Sequence, residues 1–245
     1  MKNLKSIKVF RFKEFEVSHS KSAMKIGTDA VLLGAWTPIE DNLNSILDVG
    51  AGTGILALQM AQRSAAETID AVELDPDAFE ECVTNFEHSP WSDRLFCYHA
   101  SFQEFYTEVE ETYDLIISNP PYFTEEPDSK TTSKAREKAR FQEHLSFKDL
   151  LEGVSILLSR HGSFSVILPV SEQEKFISMA NAYQLYPSNI LNVKGQPTSP
   201  VKRTLIKFSR NKKNTILTEE LIIEHSRHEY TQDYKDLVKD FYLKM

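Results

Sequence analysis

Four consecutive residues, Asn119-Pro120-Pro121-Tyr122, carry the groups of this sequence best suited to binding a flat, polar molecule. They directly follow an apolar run over 113–118, which has the length of a buried strand. The segment offers the side-chain carbonyl of Asn119, the backbone carbonyl of Pro120 and the ring of Tyr122. Pro121 fixes its own φ and also restricts Pro120, so the turn is stiff. We therefore expect a planar substrate with an NH group at this turn.

A glycine-rich turn lies upstream, at Gly50, Gly52 and Gly54, between an apolar run over 45–49 and a good helix former. Glycines let the backbone approach a ligand closely, and the start of the following helix offers unpaired NH groups and a positive dipole end. Glu73 ends the next predicted strand, where a carboxylate can accept both hydroxyl groups of a ribose. Together these features predict a cofactor that contains a nucleoside.

The residues around the glycines narrow the choice of cofactor. A dinucleotide site wants a further glycine at the position of Ile55, and a phosphate loop wants Gly-Lys-Ser or Gly-Lys-Thr, and neither is present. The run from Asp48 to Gly54 instead resembles the first motif of the S-adenosylmethionine-dependent methyltransferases. We therefore predict S-adenosyl-L-methionine as the cofactor and methyl transfer as the reaction.

The Asn-Pro-Pro-Tyr turn then has a chemical role. An exocyclic amine is a weak nucleophile because its lone pair is delocalised. If Asn119 Oδ1 and the Pro120 carbonyl accept the two amine hydrogens, the lone pair is directed at the methyl group and the charge developing on nitrogen is stabilised. Tyr122 would stack on the target. This turn suits adenine N6 in nucleic acid, guanine N2 in RNA and glutamine N5 in proteins, and its residues alone leave all three open.

Alternating strands and helices must position these two turns. Repeated units of this length predict an α/β fold with a mostly parallel sheet covered on both faces. Strand-like patterns also occur over 9–17 and 221–224, and the helix that begins at Thr28 is expected to be capped by Thr28 or Asp29. The main predicted strands are 45–49, 69–73, 94–99, 113–118, 162–169 and 201–208, and the main predicted helices are 28–36, 55–61, a helix opening at Asp75-Pro76, 147–158, 172–183 and 232–243.

The composition favours a cytoplasmic protein. A chain of 245 residues with 41% hydrophobic residues can build one large core. No apolar region follows the N-terminus, and no apolar stretch reaches about 18 residues, so we expect neither secretion nor a membrane span. The two cysteines, Cys82 and Cys97, form no disulfide framework and no zinc spacing, and we expect no metal.

Charge is unevenly divided along the chain. Residues 39–114 contain 17 Asp or Glu and two Arg, whereas residues 175–218 contain eight Lys or Arg and no acid. A local basic face on an acidic protein is compatible with nucleic acid, although a solvated surface is the simpler explanation of such runs. The segment 123–145 is long for a connection, so we expect a substrate loop there. The residues expected to contact RNA phosphates are Lys134, Arg136, Lys138, Arg140, Lys202 and Arg203.

Several segments together resemble the bacterial tRNA adenine-N6 methyltransferases. They are the opening 10–17, the run 24–36 that begins Met24-Lys-Ile-Gly-Thr-Asp29, the basic segment 134–140, and the C-terminal segments His228-Glu-Tyr-Thr-Gln-Asp-Tyr234 and 240–243. The resemblance implies a Rossmann-like class I methyltransferase fold with about seven strands, in one domain over 1–245. It further implies an N-terminal extension over 1–40 near the cofactor, a monomer, and methylation of the adenosine 3′ of the anticodon in a valine tRNA.

The same resemblance assigns roles to individual residues. At the amine it places Asn119, Pro120, Pro121 and Tyr122, and at the cofactor it places Asp48, Gly50, Gly52, Gly54, Glu73, Lys25 and Thr28. Relatives often hold the cofactor's adenine amine with Asp, where this chain has Ala100-Ser101-Phe102. Ser101 and Phe102 are therefore the expected contacts, through the Ser101 side chain or through the backbone. Competing hypotheses are a guanine-N2 RNA methyltransferase, a glutamine-N5 protein methyltransferase and a non-catalytic RNA-binding module.

Overall fold

The computed structural model describes residues 8–21, 26–41, 43–121 and 145–245. In chain order its elements are β1 (Val9–Arg11), β2 (Glu16–Ser18), α1 (Thr28–Trp36), β3 (Ser45–Val49), α2 (Ile55–Arg63), β4 (Thr68–Glu73), α3 (Pro76–Glu87), β5 (Leu95–His99), α4 (Phe102–Glu108), β6 (Tyr113–Ser118), α5 (Phe147–Leu157), β7 (Leu158–Pro169), α6 (Gln173–Ala182), β8 (Tyr186–Lys194), β9 (Val201–Ser209), β10 (Leu217–Ile222), β11 (Glu224–Ser226), β12 (Glu229–Tyr230) and α7 (Gln232–Val238). None of the helices in these ranges has the length and apolar character needed to cross a membrane.

Eight strands form one central sheet in the order β10-β8-β9-β7-β6-β3-β4-β5. All neighbours run parallel except β9, which is antiparallel to both β7 and β8. This confirms the expected mostly parallel α/β sheet, with β10 on β8 as one strand more than the expected seven or so. From β3 the chain continues to β4 and β5 on one side, and then crosses to β6 on the other side of β3. Ligands of such sheets bind beyond the carboxyl ends of the strands where the chain crosses over, here between β3 and β6.

The sheet is covered on both faces, as predicted. Helices α1, α2, α3 and α7 share one apolar core with strand residues such as Ile46, and α4, α5 and α6 share a second core with residues such as Leu47. Both of these neighbouring side chains are 0% exposed, since successive strand residues point to opposite faces. The continuous apolar runs of the central strands are therefore explained by burial on two sides.

Two helix starts test the predicted caps. Helix α3 begins as expected, with Asp75 accepting from the Ala78 backbone NH at 2.8 Å and Pro76 in the first turn. Helix α1 has the predicted bounds, but its N-cap is Gly27 and no side chain caps it. The predicted cap by Thr28 or Asp29 is therefore wrong, because both residues already lie inside the helix.

Arg63 and Arg94, which are the two Lys or Arg residues of the acid-rich stretch 39–114, cap helix ends. Arg63 Nη1 donates to the carbonyls of Gly34 and Thr37 at the end of α1, at 2.5 and 2.8 Å. Arg94 donates to the carbonyls of Ala61, Ser64 and Ala66 around the end of α2, at 2.6 to 3.1 Å. Helices end with carbonyls that lack an intrahelical partner, and cations are favoured there.

The two ends of the fold pack together. The predicted single strand over 9–17 is instead the hairpin of β1 and β2, because the chain turns at 12–15. An antiparallel bridge joins Phe12 to Tyr242, and the backbone NH of Lys13 donates to the Phe241 carbonyl at 2.9 Å. Helix α7 ends at Val238, so the helix predicted over 232–243 is shorter than expected.

Candidate active site

The glycine turn lies at the carboxyl end of β3, as expected. Gly50, Gly52 and Gly54 have φ values of 71°, 57° and 77°, a region that favours glycine. A Cβ on Gly50 or Gly52 would meet no atom within 4 Å, so these two glycines face open space. A Cβ on Gly54 would lie 2.5 Å from the Phe86 ring, because the third glycine packs tightly on α3. The turn thus has an open side that can receive a ligand, and its other end is held against α3.

Glu73 ends β4 beside that turn and is held by backbone donors. Its Oε2 accepts from the Gly52 NH at 2.7 Å, and its Oε1 accepts from the Asp75 NH at 2.8 Å. A carboxylate offers about four acceptor positions, so capacity remains for two further donors. The orientation of Glu73 is thereby fixed, and the remaining acceptor positions fit a pair of ribose hydroxyls.

Asp48 lies in β3 and is fully buried. Its Oδ2 accepts from the Ala57 NH at 3.1 Å, in the first turn of α2. It thus replaces the side-chain cap that the N-cap residue Gly54 does not provide. Burial raises the pKa of Asp48 to about 7; the Ala57 NH opposes this shift and the charge of Glu73 adds to it.

The other oxygen of this carboxylate, Oδ1, is also buried and has no hydrogen-bond partner among the described residues. A buried acceptor without a donor is costly, and a carboxylate is best satisfied by a cation or an NH group. Asp48, the two open glycines and Glu73 together therefore fit a cofactor with an ammonium at one end and a ribose at the other.

The Asn-Pro-Pro turn follows β6, next to the glycine turn. Val49 of β3 and Ser118 of β6 are register partners in adjacent parallel strands, and the Ser118 hydroxyl donates to the Val49 carbonyl at 2.8 Å. Asn119 and Gly50 each follow one of these partners, so the two turns leave the sheet side by side, with strands about 4.8 Å apart. Asn119 is half-buried and Pro120 is buried. No separate sequence signal marks Ser118, which ends an otherwise apolar run.

Two further residues predicted at the cofactor have structural partners. The Ser101 hydroxyl accepts from the Glu104 NH at 3.2 Å and Glu104 bonds back to the Ser101 NH, which makes a capping box at the start of α4. Phe102 is 4% exposed and packs edge-on against Tyr106 in the core between α4 and α5. Lys25, Tyr122, Lys134, Arg136, Lys138 and Arg140 lie outside the described residues.

The basic stretch near β9 reaches the same edge of the sheet. Because β9 is antiparallel, its first residues lie beside the end of β7, and Arg203 is the register partner of Pro169. Lys202 is exposed, whereas Arg203 forms an ion pair with Asp29 at 2.7 Å. The acid-free stretch is thus partly neutralised by acids from distant segments, and Lys207 pairs with Glu40 in the same way.

Comparison with solved structures identifies the class of this fold. A crystal structure of a predicted O-methyltransferase from Agrobacterium tumefaciens matches with a TM-score of 0.68, at 20% identity, over 87% of this chain and 96% of that one. The structure of Pyrococcus horikoshii TYW2 in complex with MeSAdo matches with a TM-score of 0.57, at 15% identity, over 82% and 70% of the two chains. The family model of the methyltransferase small domain matches residues 11–143. The fold and the site define a class I methyltransferase.

Curated relatives show to which methyltransferase family the chain belongs. A tRNA1(Val) (adenine(37)-N6)-methyltransferase of Flavobacterium psychrophilum is 54% identical over 97% of this chain and 100% of its own length. Proteins of the same name from Bacteroides fragilis and Photorhabdus laumondii are 45% and 42% identical, each over 96% of this chain and 98% and 95% of their own lengths. The chain belongs to the tRNA1(Val) (adenine(37)-N6)-methyltransferase family.

Proposed function

We propose that this protein transfers a methyl group from S-adenosylmethionine to N6 of adenine 37 in tRNA1(Val). One observation carries the proposal: the glycine turn after β3 and the Asn-Pro-Pro turn after β6 leave the sheet from register partners, Val49 and Ser118. A cofactor on the first turn and an amine on the second are then neighbours. Methyl transfer needs this proximity, because the attacking nitrogen must lie in line with the bond that breaks.

The residues of the cofactor half have separable roles. Glu73 binds the ribose hydroxyls, the open sides of Gly50 and Gly52 accept the cofactor's bulk, and the unpartnered Oδ1 of Asp48 faces its ammonium group. When bound, the cofactor supplies an activated methyl group on a sulfonium. Ser101 and Phe102 border the place proposed for its adenine. Their side chains serve the α4 cap and the core, so we propose backbone contacts there.

The amine half acts through acceptors alone. Asn119 Oδ1 and the Pro120 carbonyl oxygen accept the two hydrogens of the adenine amine and stabilise the positive charge that develops on nitrogen. The nitrogen becomes acidic as the new bond forms, so no strong base is needed beside it. Pro120 is buried and Pro121 has a fixed φ, which keeps the accepting carbonyl in place. Tyr122 is the proposed stacking partner of the extruded base.

The distribution of charge favours one direction of approach for tRNA. Three of the 17 acidic residues in the stretch 39–114 are buried, namely Asp48, Asp70 and Glu81. Both arginines of the stretch are used as helix caps, so its other acidic residues have no Arg from that stretch free to neutralise them. Phosphates are repelled from that half and attracted to the half around β9, where Lys202 is exposed. We propose that Lys202, Arg203 and the basic segment 134–140 contact the tRNA backbone.

The proposed substrate also suggests where and how the protein acts. Cys82 and Cys97 are free thiols, which suits a reducing compartment. We propose that the protein works in the cytoplasm as a monomer.

The test combines product analysis with one variant. The protein is incubated with labelled S-adenosylmethionine and, separately, tRNA, ribosomal RNA and release factor, and modified nucleosides are identified by mass spectrometry. We expect N6-methyladenosine in tRNA1(Val). Asn119→Ala should lower kcat by about 100-fold with unchanged cofactor affinity, since one charge-stabilising acceptor is lost. Asn211→Ala, an exposed residue at the opposite edge of the sheet, is the control.

The competing functions give different results in the same experiment. Label in protein indicates a glutamine methyltransferase, and N2-methylguanosine indicates a guanine methyltransferase. Full tRNA binding without methylation by the unaltered protein indicates a non-catalytic RNA-binding module. Each of these three outcomes contradicts the proposal.

A further inference from the structure

A short segment before α1, Ser18–Lys21, is held by two buried polar side chains of α3; we name it the strap. Asn85 is 3% exposed, and its Oδ1 accepts from the Ser18 NH at 2.8 Å while its Nδ2 donates to the Ser18 carbonyl at 3.1 Å. Glu81 lies one helical turn earlier and is 4% exposed. Its Oε1 accepts from the NH groups of Ser20 and Lys21 at 2.5 and 3.2 Å. One face of α3 thus binds the strap through four backbone hydrogen bonds.

Asn85 makes one more bond, and this bond reaches the glycine turn. Its Nδ2 also donates to the carbonyl of Thr53 at 2.9 Å. Thr53 stands between Gly52 and Gly54, so this bond fixes the peptide plane that joins Thr53 to Gly54. Cys82 and Phe86 directly follow Glu81 and Asn85 in α3. A Cβ on Gly54 would clash with their side chains. Helix α3 therefore serves as one platform for both the strap and the turn.

The strap determines which way the Asn85 amide points. A flipped amide would place its NH₂ against the Ser18 NH and its oxygen against two carbonyls, so all three bonds would be lost. With the strap in place, only one orientation satisfies Ser18 and Thr53 together. Asn85 lies 32 residues after Thr53 and 67 residues after Ser18, and it bonds to both. The orientation of the Thr53 carbonyl is thereby coupled to the strap, which lies more than thirty residues earlier in the chain.

The chain beyond the strap is anchored again where α1 begins. Asp29, in the first turn of α1, forms an ion pair with Arg203 at 2.7 Å, at the same edge of the sheet as the glycine turn. The N-terminal extension is therefore fixed on both sides of the site, by α3 on one side and by β9 on the other.

We propose that Asn85 is a positioning residue for cofactor binding. It transmits the position of the strap to the Thr53 peptide, and so keeps the open side of the glycine turn, at Gly50 and Gly52, in its binding shape. This inference rests on the proposed function, because it assumes that the cofactor occupies the glycine turn. According to this proposal, cofactor affinity depends on the bonds of Asn85 to Ser18 and Thr53, which lie on the α3 side of the turn.

The test measures the affinity for S-adenosylhomocysteine by calorimetry, which needs no turnover. Asn85→Leu keeps the side-chain size and removes all three bonds. It should raise Kd about tenfold, which is about 1.4 kcal/mol. Its affinity for tRNA without cofactor should stay within twofold of the unaltered protein. Ser18→Pro removes the NH that orients the Asn85 amide and changes no residue of α3 or of the turn. It should also raise Kd, and it serves as the test if Asn85→Leu does not fold.

Tyr113→Phe is the matched control. It removes another buried hydrogen bond, from Tyr113 to Asp70 at 2.6 Å, away from the glycine turn, and should leave Kd unchanged. The inference is overturned if Asn85→Leu and Ser18→Pro both bind S-adenosylhomocysteine within twofold of the unaltered protein, or if Tyr113→Phe weakens binding as much as they do. If the unaltered protein binds no S-adenosylhomocysteine, the proposed function fails as well, and the two failures are thereby distinguished.

Discussion

Replacing Asp48 by Asn should remove a pH-dependent cost to folding. The pKa of this carboxyl is raised from its ordinary 3.8 to about 7, mainly by burial. The folded state therefore holds the proton more tightly than the unfolded state, and stability falls as the pH rises from about 4 to about 7. The shift of about three units, at about 1.4 kcal/mol each, corresponds to about 4 kcal/mol. The amide of Asn keeps an acceptor for the Ala57 NH but cannot ionise.

Urea unfolding of both proteins at a series of pH values measures this effect. The stability of the variant relative to the unaltered protein should increase by about 4 kcal/mol between pH 4 and pH 8, with most of the change below pH 7. The same substitution should weaken cofactor binding, although it stabilises the folded protein at high pH. At pH 8 the neutral amide cannot pair with an ammonium group, so Asp48→Asn should bind S-adenosylhomocysteine at least tenfold more weakly, by about 1.4 kcal/mol or more.

Parallel stability profiles for the two proteins across this pH range would refute the reasoning about Asp48. They would mean that the carboxylate ionises in the folded state as readily as in water, despite its complete burial. Equal cofactor affinities at pH 8 would separately refute the assignment of its unpartnered oxygen to the cofactor's ammonium.

Further substitutions test three other features, namely the glycine turn, the Arg94 cap and the Lys202 contact. Gly54→Ala should cost roughly 3 kcal/mol of stability in thermal unfolding, because it adds positive-φ strain to a clash with α3. Gly50→Ala should cost only about 1 kcal/mol but weaken cofactor binding, and equal stability losses would contradict this. Arg94→Met should cost about 3 kcal/mol in urea unfolding, since three carbonyls in and just after the last turn of α2 lose a charged donor; a loss under 1 kcal/mol would argue against the cap. Lys202→Glu should weaken tRNA binding and reduce its salt slope by about one, unlike Lys239→Glu near the opposite edge; equal slopes for both would contradict the proposed contact.

The elements around the site could be predicted because their signals are local. The bounds of α1, β3 and β6 agree with the structure, since an apolar run or a helical pattern ends at a glycine, proline or polar turn in each case. The two turns follow directly from those strand ends. Their adjacency required one further rule, that parallel strands bring their carboxyl ends to the same edge.

Strand β8 was missed because its sequence carries signals against a strand. Pro187 cannot donate to a ladder, and Asn189 and Asn192 interrupt the apolar pattern. The structure tolerates Pro187 because the pairing with β10 begins only at Asn189 and the ladder with β9 shifts register there. Tertiary pairing decides such a strand, and no local pattern records it.

The charge pattern was only half informative for the same reason. The stretch 175–218 contains no acid, yet Arg203 meets Asp29, which lies 174 residues away in the chain. A charge run describes the neighbours of a residue in sequence, whereas its electrostatic partners are neighbours in space. Ser101 shows a similar limit, because its helix-capping role and its predicted role at the cofactor look alike in the sequence.

The contact between the two ends of the fold has a consequence for the order in which the protein completes its structure during synthesis. The hairpin of β1 and β2 is synthesised long before its partners Phe241 and Tyr242, and the bond from Lys13 to the Lys239 carbonyl spans 226 residues. The central strands can pair before that moment, because their contacts are nearer in the chain. The strap begins at Ser18, the last residue of β2. A nascent chain can therefore bind the strap to α3 beside its glycine turn while the hairpin that leads into the strap is still without its partners. The N-terminal extension is fully anchored only once residues 239–242 have been made.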